Sequence, residues 1–270
     1  MNYRHIFHAG NFADVMKHAL YIELMRALQR KDKPFLILDT HAGIGQYDVT
    51  SPEAEKTGEW RSGIGVLQDN PQPALQAYVQ LVKSLGLYPG SPRLIGALMR
   101  QNDRLVACEL HEEDARTLRR TMRRAPNTSV HFRDGFEAIN AFLPPPEKRG
   151  LILIDPPFER TDEFARVTEA LTAGWKKFPT GVFAVWYPIK HRAPVREFFE
   201  TLKLGPIRDI VAFELWKRPD TDPNRLNGCG LLIINPPFGF EVLAAPILAS
   251  CAQLLGEAGA NHVIERLVDE

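Results

Sequence analysis

The sequence predicts an α/β fold: a mostly parallel sheet covered by helices, with its ligand crevice at the carboxyl ends of the strands. Three observations carry this expectation. A short apolar run at residues 35–39 breaks directly into a glycine-bearing turn, Thr40-His41-Ala42-Gly43-Ile44-Gly45, as the first strand of a nucleotide-binding unit does. From residue 104 onward, strand-like and helix-like segments alternate. Acidic or proline-stiffened positions then fall at the end of one predicted strand after another, where an open parallel sheet gathers its ligand.

The elements follow in order. A helix begins after Asn11, a side chain suited to an N-cap, and repeats apolar Met16, Leu20, Leu24 and Leu28 until Lys31-Asp32-Lys33-Pro34 stops it. The first strand and its glycine turn come next. No helix follows at once. Residues 47–88 instead carry turn signals (Ser51-Pro52, Thr57-Gly58, Asn70-Pro71) and an amphipathic stretch at 74–85. This segment reads as a small inserted helical subdomain, leaving 1–46 and 89–270 as the main domain. At Pro89-Gly90-Ser91-Pro92 the delayed helix starts, with Ser91 as N-cap and Pro92 at the first helical position.

Downstream, strands are expected at 104–109, 129–133, 150–155, 181–187, 207–215 and 228–235, and helices at 112–124, 135–142, 162–177 and 193–204. The last two strands are close enough to pair as an antiparallel hairpin. Six parallel strands closed by a reversed seventh describe a seven-stranded mixed sheet, the Rossmann-like arrangement of S-adenosylmethionine-dependent methyltransferases.

Composition narrows the setting. The 270 residues, 44% of them hydrophobic, can bury one substantial core. Lysine plus arginine and aspartate plus glutamate both total 33, so a nucleic-acid partner has to be argued locally. The three cysteines lack CxxC spacing, so neither a disulfide framework nor a metal site is expected. The histidine-rich, charge-broken amino terminus lacks the apolar core of a signal peptide, and no apolar run reaches membrane-spanning length. A cytoplasmic monomer without membrane association is the expectation.

The chemistry is concentrated at four strand ends. After strand one, Gly43 and Gly45 let the backbone approach a ligand. After strand two, the Glu109 carboxylate is placed to accept hydrogen bonds from both hydroxyls of a ribose. After strand three come Asp134 and Gly135, and after strand four Asp155-Pro156-Pro157-Phe158. The glycine turn and Glu109 are weak signals singly, because tight turns and helix caps use such residues routinely. The tetrapeptide is more specific. Two prolines fix the backbone as it leaves the sheet and remove two N–H donors while keeping carbonyl acceptors.

A rigid acceptor cluster suits an amine whose lone pair is delocalised, such as the N6 amine of adenine. Hydrogen bonds to the Asp155 carboxylate and the Pro156 carbonyl would favour a tetrahedral nitrogen for in-line attack on a methyl group, and Phe158 would stack on the extruded base. Asn235-Pro236-Pro237-Phe238 repeats the pattern, but it follows the reversed strand and so is expected at the opposite edge of the sheet.

Nearly the whole chain resembles the bacterial large-subunit ribosomal RNA adenine-N6 methyltransferase family known as methyltransferase J. The resemblance is carried by Tyr3-Arg4-His5, Phe7-His8-Ala9-Gly10-Asn11, Ala13-Asp14-Val15, Lys17-His18, Lys31-Asp32-Lys33-Pro34-Phe35, Asp39-Thr40-His41-Ala42-Gly43, Tyr88-Pro89-Gly90-Ser91-Pro92 and residues 149–157. It implies transfer from S-adenosylmethionine to one adenine of 23S ribosomal RNA. His18, His41, Ser91, Glu109, Asp134 and Gly135 would then contact the cofactor, Asp155 would also face it as the catalytic acceptor, and Tyr3 would meet the RNA. Phe158 departs from relatives that carry tyrosine there, at the cost of a hydroxyl hydrogen bond. Ser91, at a helix N-terminus, agrees with a role toward the cofactor carboxylate.

Candidate phosphate contacts are Arg4, His5 and Lys17, with Lys190, His191 and Arg192 after strand five. Arg116, Arg119, Arg120, Arg123 and Arg124 share one helix face, which is either an RNA contact or a solvated surface. DNA adenine-N6 methylation would use the same chemistry and stays open on the residues alone. A nicotinamide-dependent oxidoreductase would want a fuller G-x-G-x-x-G turn opening straight into a helix. A non-catalytic RNA-binding module would have no need of Asp155 or of the glycines.

Overall fold

The computed structural model describes residues 4–68 and 72–270. Helix α1 (Phe12–Gln29) opens the fold, and its cap is the expected one: Asn11 accepts hydrogen bonds from the Ala13 and Asp14 amides. It leads to β1 (Leu36–Asp39). The next strand of the main sheet is β4 (Arg104–Glu109), and between them lie β2 (Gln46–Tyr47), α2 (Pro52–Thr57), α3 (Ile64–Leu67), α4 (Pro73–Leu85), β3 (Tyr88–Pro89) and α5 (Ser91–Leu98). The short strands β2 and β3 pair antiparallel, and the Gly90 amide donates to the Gly45 carbonyl at 2.9 Å. Both ends of the intervening segment are therefore held together, and α5 starts beside the glycine turn it would otherwise have followed directly. The cap of α5 is Gly90, one residue earlier than expected; Ser91 is the first helical residue.

After β4 come α6 (Glu112–Met122), β5 (Thr128–Phe132), α7 (Gly135–Phe142), β6 (Gly150–Ile154), α8 (Glu163–Lys177), β7 (Val182–Ile189), α9 (Arg192–Leu204), β8 (Ile210–Trp216) and β9 (Gly228–Ile234). Each matches an expected element to within a few residues. Two further elements were not expected: α10 (Phe240–Leu255) and β10 (Asn261–Val268). Among the described residues the main sheet therefore has eight strands, in the order β10-β8-β9-β7-β6-β1-β4-β5, rather than seven. The added strand pairs antiparallel with β8 at the sheet edge and is mostly half-exposed. An edge strand with one partner needs no strong apolar alternation, so its pattern is faint.

Strands β1, β4, β5, β6 and β7 run parallel, while β9 runs antiparallel to both β7 and β8. The reversed strand thus sits between β7 and β8, as the methyltransferase arrangement requires. Alternation along each strand divides the core between two faces. Ile37, Leu105, Ala107, Leu151 and Leu153 pack on one side with α1, α4, α5 and α10. Leu36, Leu38, Val106, Ile152 and Ile154 pack on the other with α7, α8 and α9. Residues Ile64, Leu67, Leu75, Tyr78 and Val79 of the 47–88 segment join the core formed by α1. Covered from both sides, α1 buries Asp14, Lys17 and His18 as well as its apolar residues.

No helix among the described residues is long and apolar enough to cross a membrane. The three cysteines are free and buried. Leu20, fully buried on α1, should be among the costliest truncations: Leu20→Ala is expected to lower stability by about 2–5 kcal/mol. Urea unfolding checks this as a lower midpoint at unchanged slope.

Candidate active site

The carboxyl ends of β1, β4, β6 and β7 open into one cleft of about 940 Å³, walled further by the amino-terminal segment, α1 and the loop joining β8 to β9. The glycine turn forms its floor beside β1. Gly43 and Gly45 both have positive φ, 59° and 83°, where a side chain is strained. The Gly43 amide donates to Glu109 Oε2 at 3.0 Å and the His111 amide to Oε1 at 2.7 Å. Two backbone donors thus orient the Glu109 carboxylate while each oxygen keeps a lone pair toward the cleft. Burial raises the pKa of Glu109, with the nearby Asp114 adding to it against those two amides.

Gly45, also expected at the ligand, is placed against α6. It does not line the cleft; a Cβ there would stand 2.9 Å from Leu118 Cδ1 and 3.1 Å from Thr121 Cγ2, so the missing side chain lets α6 pack on the turn. Asp134 and Gly135 also lie just behind the cleft wall. Asp134 caps α7 by accepting from the Phe136 and Glu137 amides at 2.7 and 3.3 Å. A Cβ on Gly135 would meet Thr40 O at 2.2 Å, so only glycine allows α7 to start against the turn. His41 stands between them and the cleft, its Nδ1 2.7 Å from Thr40 Oγ1 and its ring edge-on to Phe136. Burial pushes His41 down to about 4, which leaves a neutral imidazole.

Asp155 stands at the end of β6, beside β1. Its Oδ2 accepts from Lys17 Nζ at 2.6 Å, and the same ammonium lies 3.0 Å from Asp14 Oδ1. Asp14 Oδ2 in turn accepts from the Gly10 amide at 2.9 Å and lies 2.9 Å from His5 Nε2. Burial opposes both charges, but the carboxylates hold the Lys17 pKa well above the ordinary lysine range, and His5 and Lys17 hold Asp14 well below the usual carboxylate range. Deeper in α1, His18 Nδ1 lies 3.1 Å from the Tyr88 hydroxyl, and burial pushes it down to about 3. Ser91 Oγ donates to Asp39 Oδ2 at 2.7 Å. Burial, reinforced by Asp155, pushes Asp39 up to about 7.

Pro156, Pro157 and Phe158 line the cleft. The Phe158 ring lies 4.9 Å from Phe164 and 6.0 Å from Trp186. The second tetrapeptide is elsewhere: Ile234 pairs with Phe183 at the start of β7, Asn235 Nδ2 donates to Pro179 O and Gly181 O, and Phe238 is 96% exposed. It sits at the opposite edge of the sheet, as its strand direction required.

The expected phosphate contacts divide. Tyr3 lies outside the described residues. Arg4 is on the cleft rim, 3.6 Å from Asp114. Lys17 is not a surface cation; it is buried between two carboxylates, and His5 is held by one of them. Lys190 lines the cleft, whereas His191 caps α9 and Arg192 turns to Glu214. The α6 arginines are exposed but line no part of it. Sequence reasoning missed Asp14, Asp39, Trp186, Lys217, Arg218 and Arg225. Asp14 and Lys17 are one helical turn apart, a spacing that pairs opposite charges, and this was the available signal for the first of them.

The buried groups make opposing contributions to stability with pH. His18 and His41 are depressed below their ordinary 6.5, so the stability they add is present above pH 6.5 and is lost as pH falls. Asp39 is raised above 3.8, so its contribution is present at low pH and lost as pH rises through about 7. Asp39→Asn removes that offset. The variant should lose more stability than wild type between pH 8 and pH 5, by on the order of 2 kcal/mol, in denaturant titrations at the two pH values.

Comparison with known proteins agrees with this architecture. A family model described as ribosomal RNA large subunit methyltransferase D, RlmJ, matches residues 32–267. The chain is 40% identical to the ribosomal RNA large subunit methyltransferase J of Escherichia coli (strain K12), over 97% of this chain and 96% of that protein. It is 39% identical to the protein of the same name from Haemophilus influenzae, over the full length of both. A crystal structure of a protein from Legionella pneumophila str. Philadelphia 1 superposes with a TM-score of 0.88 at 35% identity, covering 96% of this chain and 98% of that one. With a match that spans the glycine turn, Glu109 and the tetrapeptide at the end of β6, the chain belongs to the RlmJ family of ribosomal RNA large subunit methyltransferases.

Proposed function

We propose that this enzyme transfers the methyl group of S-adenosylmethionine to the N6 amine of an adenine in 23S ribosomal RNA. The observation that carries the reading is the position of Asp155-Pro156-Pro157-Phe158: it leaves β6 beside the β1 glycine turn and opens into the same cleft as Glu109.

The residues present fit the cofactor. Gly43 lines the cleft floor, its missing side chain making room for the Tyr47 hydroxyl, and the oriented Glu109 carboxylate suits a ribose diol. Ser91 and the first turn of α5 present a helix N-terminus, suited to a carboxylate. His18 and His41, both neutral, add no positive charge beside a sulfonium. Asp134 and Gly135 would shape the adenine end through the start of α7. When bound, S-adenosylmethionine supplies an electrophilic methyl group.

The protein's part is to present the nucleophile. Lys17 occupies one oxygen of Asp155 and fixes the carboxylate's orientation, leaving Oδ1 to accept one amine N–H while the Pro156 carbonyl accepts the other. Two acceptors at fixed positions draw the nitrogen toward tetrahedral geometry and direct its lone pair along the attack line. The new N–C bond forms as the C–S bond breaks. The nitrogen becomes strongly acidic only after methylation, so its proton passes late to Asp155 or to water. Phe158, buttressed by Phe164 and Trp186, offers a flat face for the extruded base.

Methyl transfer from labelled S-adenosylmethionine to protein-free 23S RNA, followed by nucleoside analysis, is expected to yield N6-methyladenosine. Asp155→Ala should lower the rate by at least about 10²-fold, and Asn235→Ala should leave it near wild type. Product on duplex DNA alone, or activity that survives Asp155→Ala, would overturn the reading. RNA affinity should also fall as salt is raised from about 50 to 200 mM; binding that ignores salt argues against direct engagement of the phosphates.

A further inference from the structure

Charge is unevenly divided across the cleft. The half beside β1 and β4 presents Glu109 and Asp114, the second of them 3.6 Å from Arg4 on the rim. The half beside β7, β8 and β9 presents Lys190 together with Lys217, Arg218 and Arg225 from the β8–β9 loop. The carboxylates within that loop are engaged by backbone: Asp220 accepts from the Arg192 amide at 3.2 Å and Asp222 from the Asn224 amide at 3.0 Å. Glu257 lies near all three loop cations, hydrogen-bonded to Arg218, 3.9 Å from Arg225 and 4.0 Å from Lys217. Asp220, Asp222 and Glu257 balance the charge of the three loop cations, and Glu59 also acts on Lys217, so what this side adds beyond that balance is Lys190, with Arg225 the most open of the loop cations. Lys190 is exposed and has no ion pair among the described residues, and the Arg225 side chain is 54% exposed.

The loop is also braced. Lys217 Nζ donates to Ser62 Oγ at 3.3 Å and sits over the Phe12 ring. Asn227 Nδ2 donates to the Lys190 and Asp222 carbonyls, both at 2.7 Å. These bonds tie the loop to the end of β7, so its cations keep a fixed relation to Asp155. The arginines of α6 have no such relation: they are exposed away from the cleft, and Arg116 is paired with Glu112.

We infer that the β8–β9 loop, with Lys190, is the wall along which the RNA backbone runs, holding phosphates that flank the target base. The acidic half would repel a phosphodiester and suits the cationic cofactor, so the two ligands approach Asp155 from opposite sides. Phosphate contacts set register and orientation without reading sequence, which is the task left once Asp155, Pro156 and Phe158 take the base. This assignment rests on the proposed RNA substrate.

The test compares wild type with two double variants, Lys190→Gln/Arg225→Gln on the loop side and Arg116→Gln/Arg120→Gln on α6. Each is titrated with protein-free 23S RNA over a potassium chloride series and assayed for methyl transfer. Binding of S-adenosylhomocysteine to each variant reports an intact fold and cofactor half. The loop variant should show a slope of log affinity against log salt shallower by about 1.4, from two lost contacts at about 0.7 each. Its KM for RNA should rise by about tenfold with kcat retained, while the α6 variant follows wild type. A loop variant indistinguishable from wild type, or an α6 variant that loses as much, overturns the loop's role while RNA methylation by wild type stands. A wild type that neither binds nor methylates RNA overturns the proposed function and this inference together.

Discussion

The Lys17 ammonium, held between Asp14 and Asp155, is the contact through which the site is joined to the scaffold. Withdrawing an ammonium from water is costly, and α1 is covered so completely that Lys17 is 4% exposed and reaches only the cleft. Two carboxylates make that burial tolerable, and each has its own support. Asp14 is bonded by the Gly10 amide and by His5, and Asp155 is fixed by the end of β6. Removal of either acid leaves a buried charge under-compensated, a change that typically costs about 3–5 kcal/mol. The amino-terminal segment, the first helix and the end of β6 are thus one electrostatic unit, with His5 as its amino-terminal member.

The glycine turn shows the same economy of parts. Gly43 faces the cleft and its amide orients Glu109, whereas Gly45, two residues later, faces α6 and the carbonyl it offers receives Gly90. Everything between Gly45 and Gly90 can therefore depart from the sheet and return without disturbing the floor of the cleft. The helices in that segment then close over α1, which is what makes α1 a buried helix with a polar interior.

Most of the sheet was legible because buried parallel strands are short continuous apolar runs bounded by turns, and the 104–155 region repeats that pattern cleanly. The cleft's position followed from topology alone, as did the separation of Asp155 from Asn235. Three kinds of information were not legible. The edge strand β10 is half-exposed and carries little alternation. Lys17 looked like a phosphate contact because charge on a helix is ordinarily at the surface, and only the covering helices reveal otherwise. The cations of residues 217–225 stand beside Asp220 and Asp222 in sequence, so the loop gave no charge signal, and only the structure shows both carboxylates bound to backbone amides while Arg225 stays half exposed. Gly45, Asp134 and Gly135 were legible as part of the turn region but not as packing positions behind it.

The two Pro-Pro-Phe segments differ in their first residue, and the difference decides what each can do. Asn235 gives its amide hydrogens to the carbonyls of Pro179 and Gly181, stitching the end of β9 to the turn before β7. An aspartate there would present only acceptors to acceptors, and an asparagine at 155 would have a single acceptor oxygen to serve both the Lys17 ammonium and the cleft. The tetrapeptide is thus a stiff bracket, and strand direction together with its leading side chain decides whether it opens acceptors into a cleft or closes a seam between two strands.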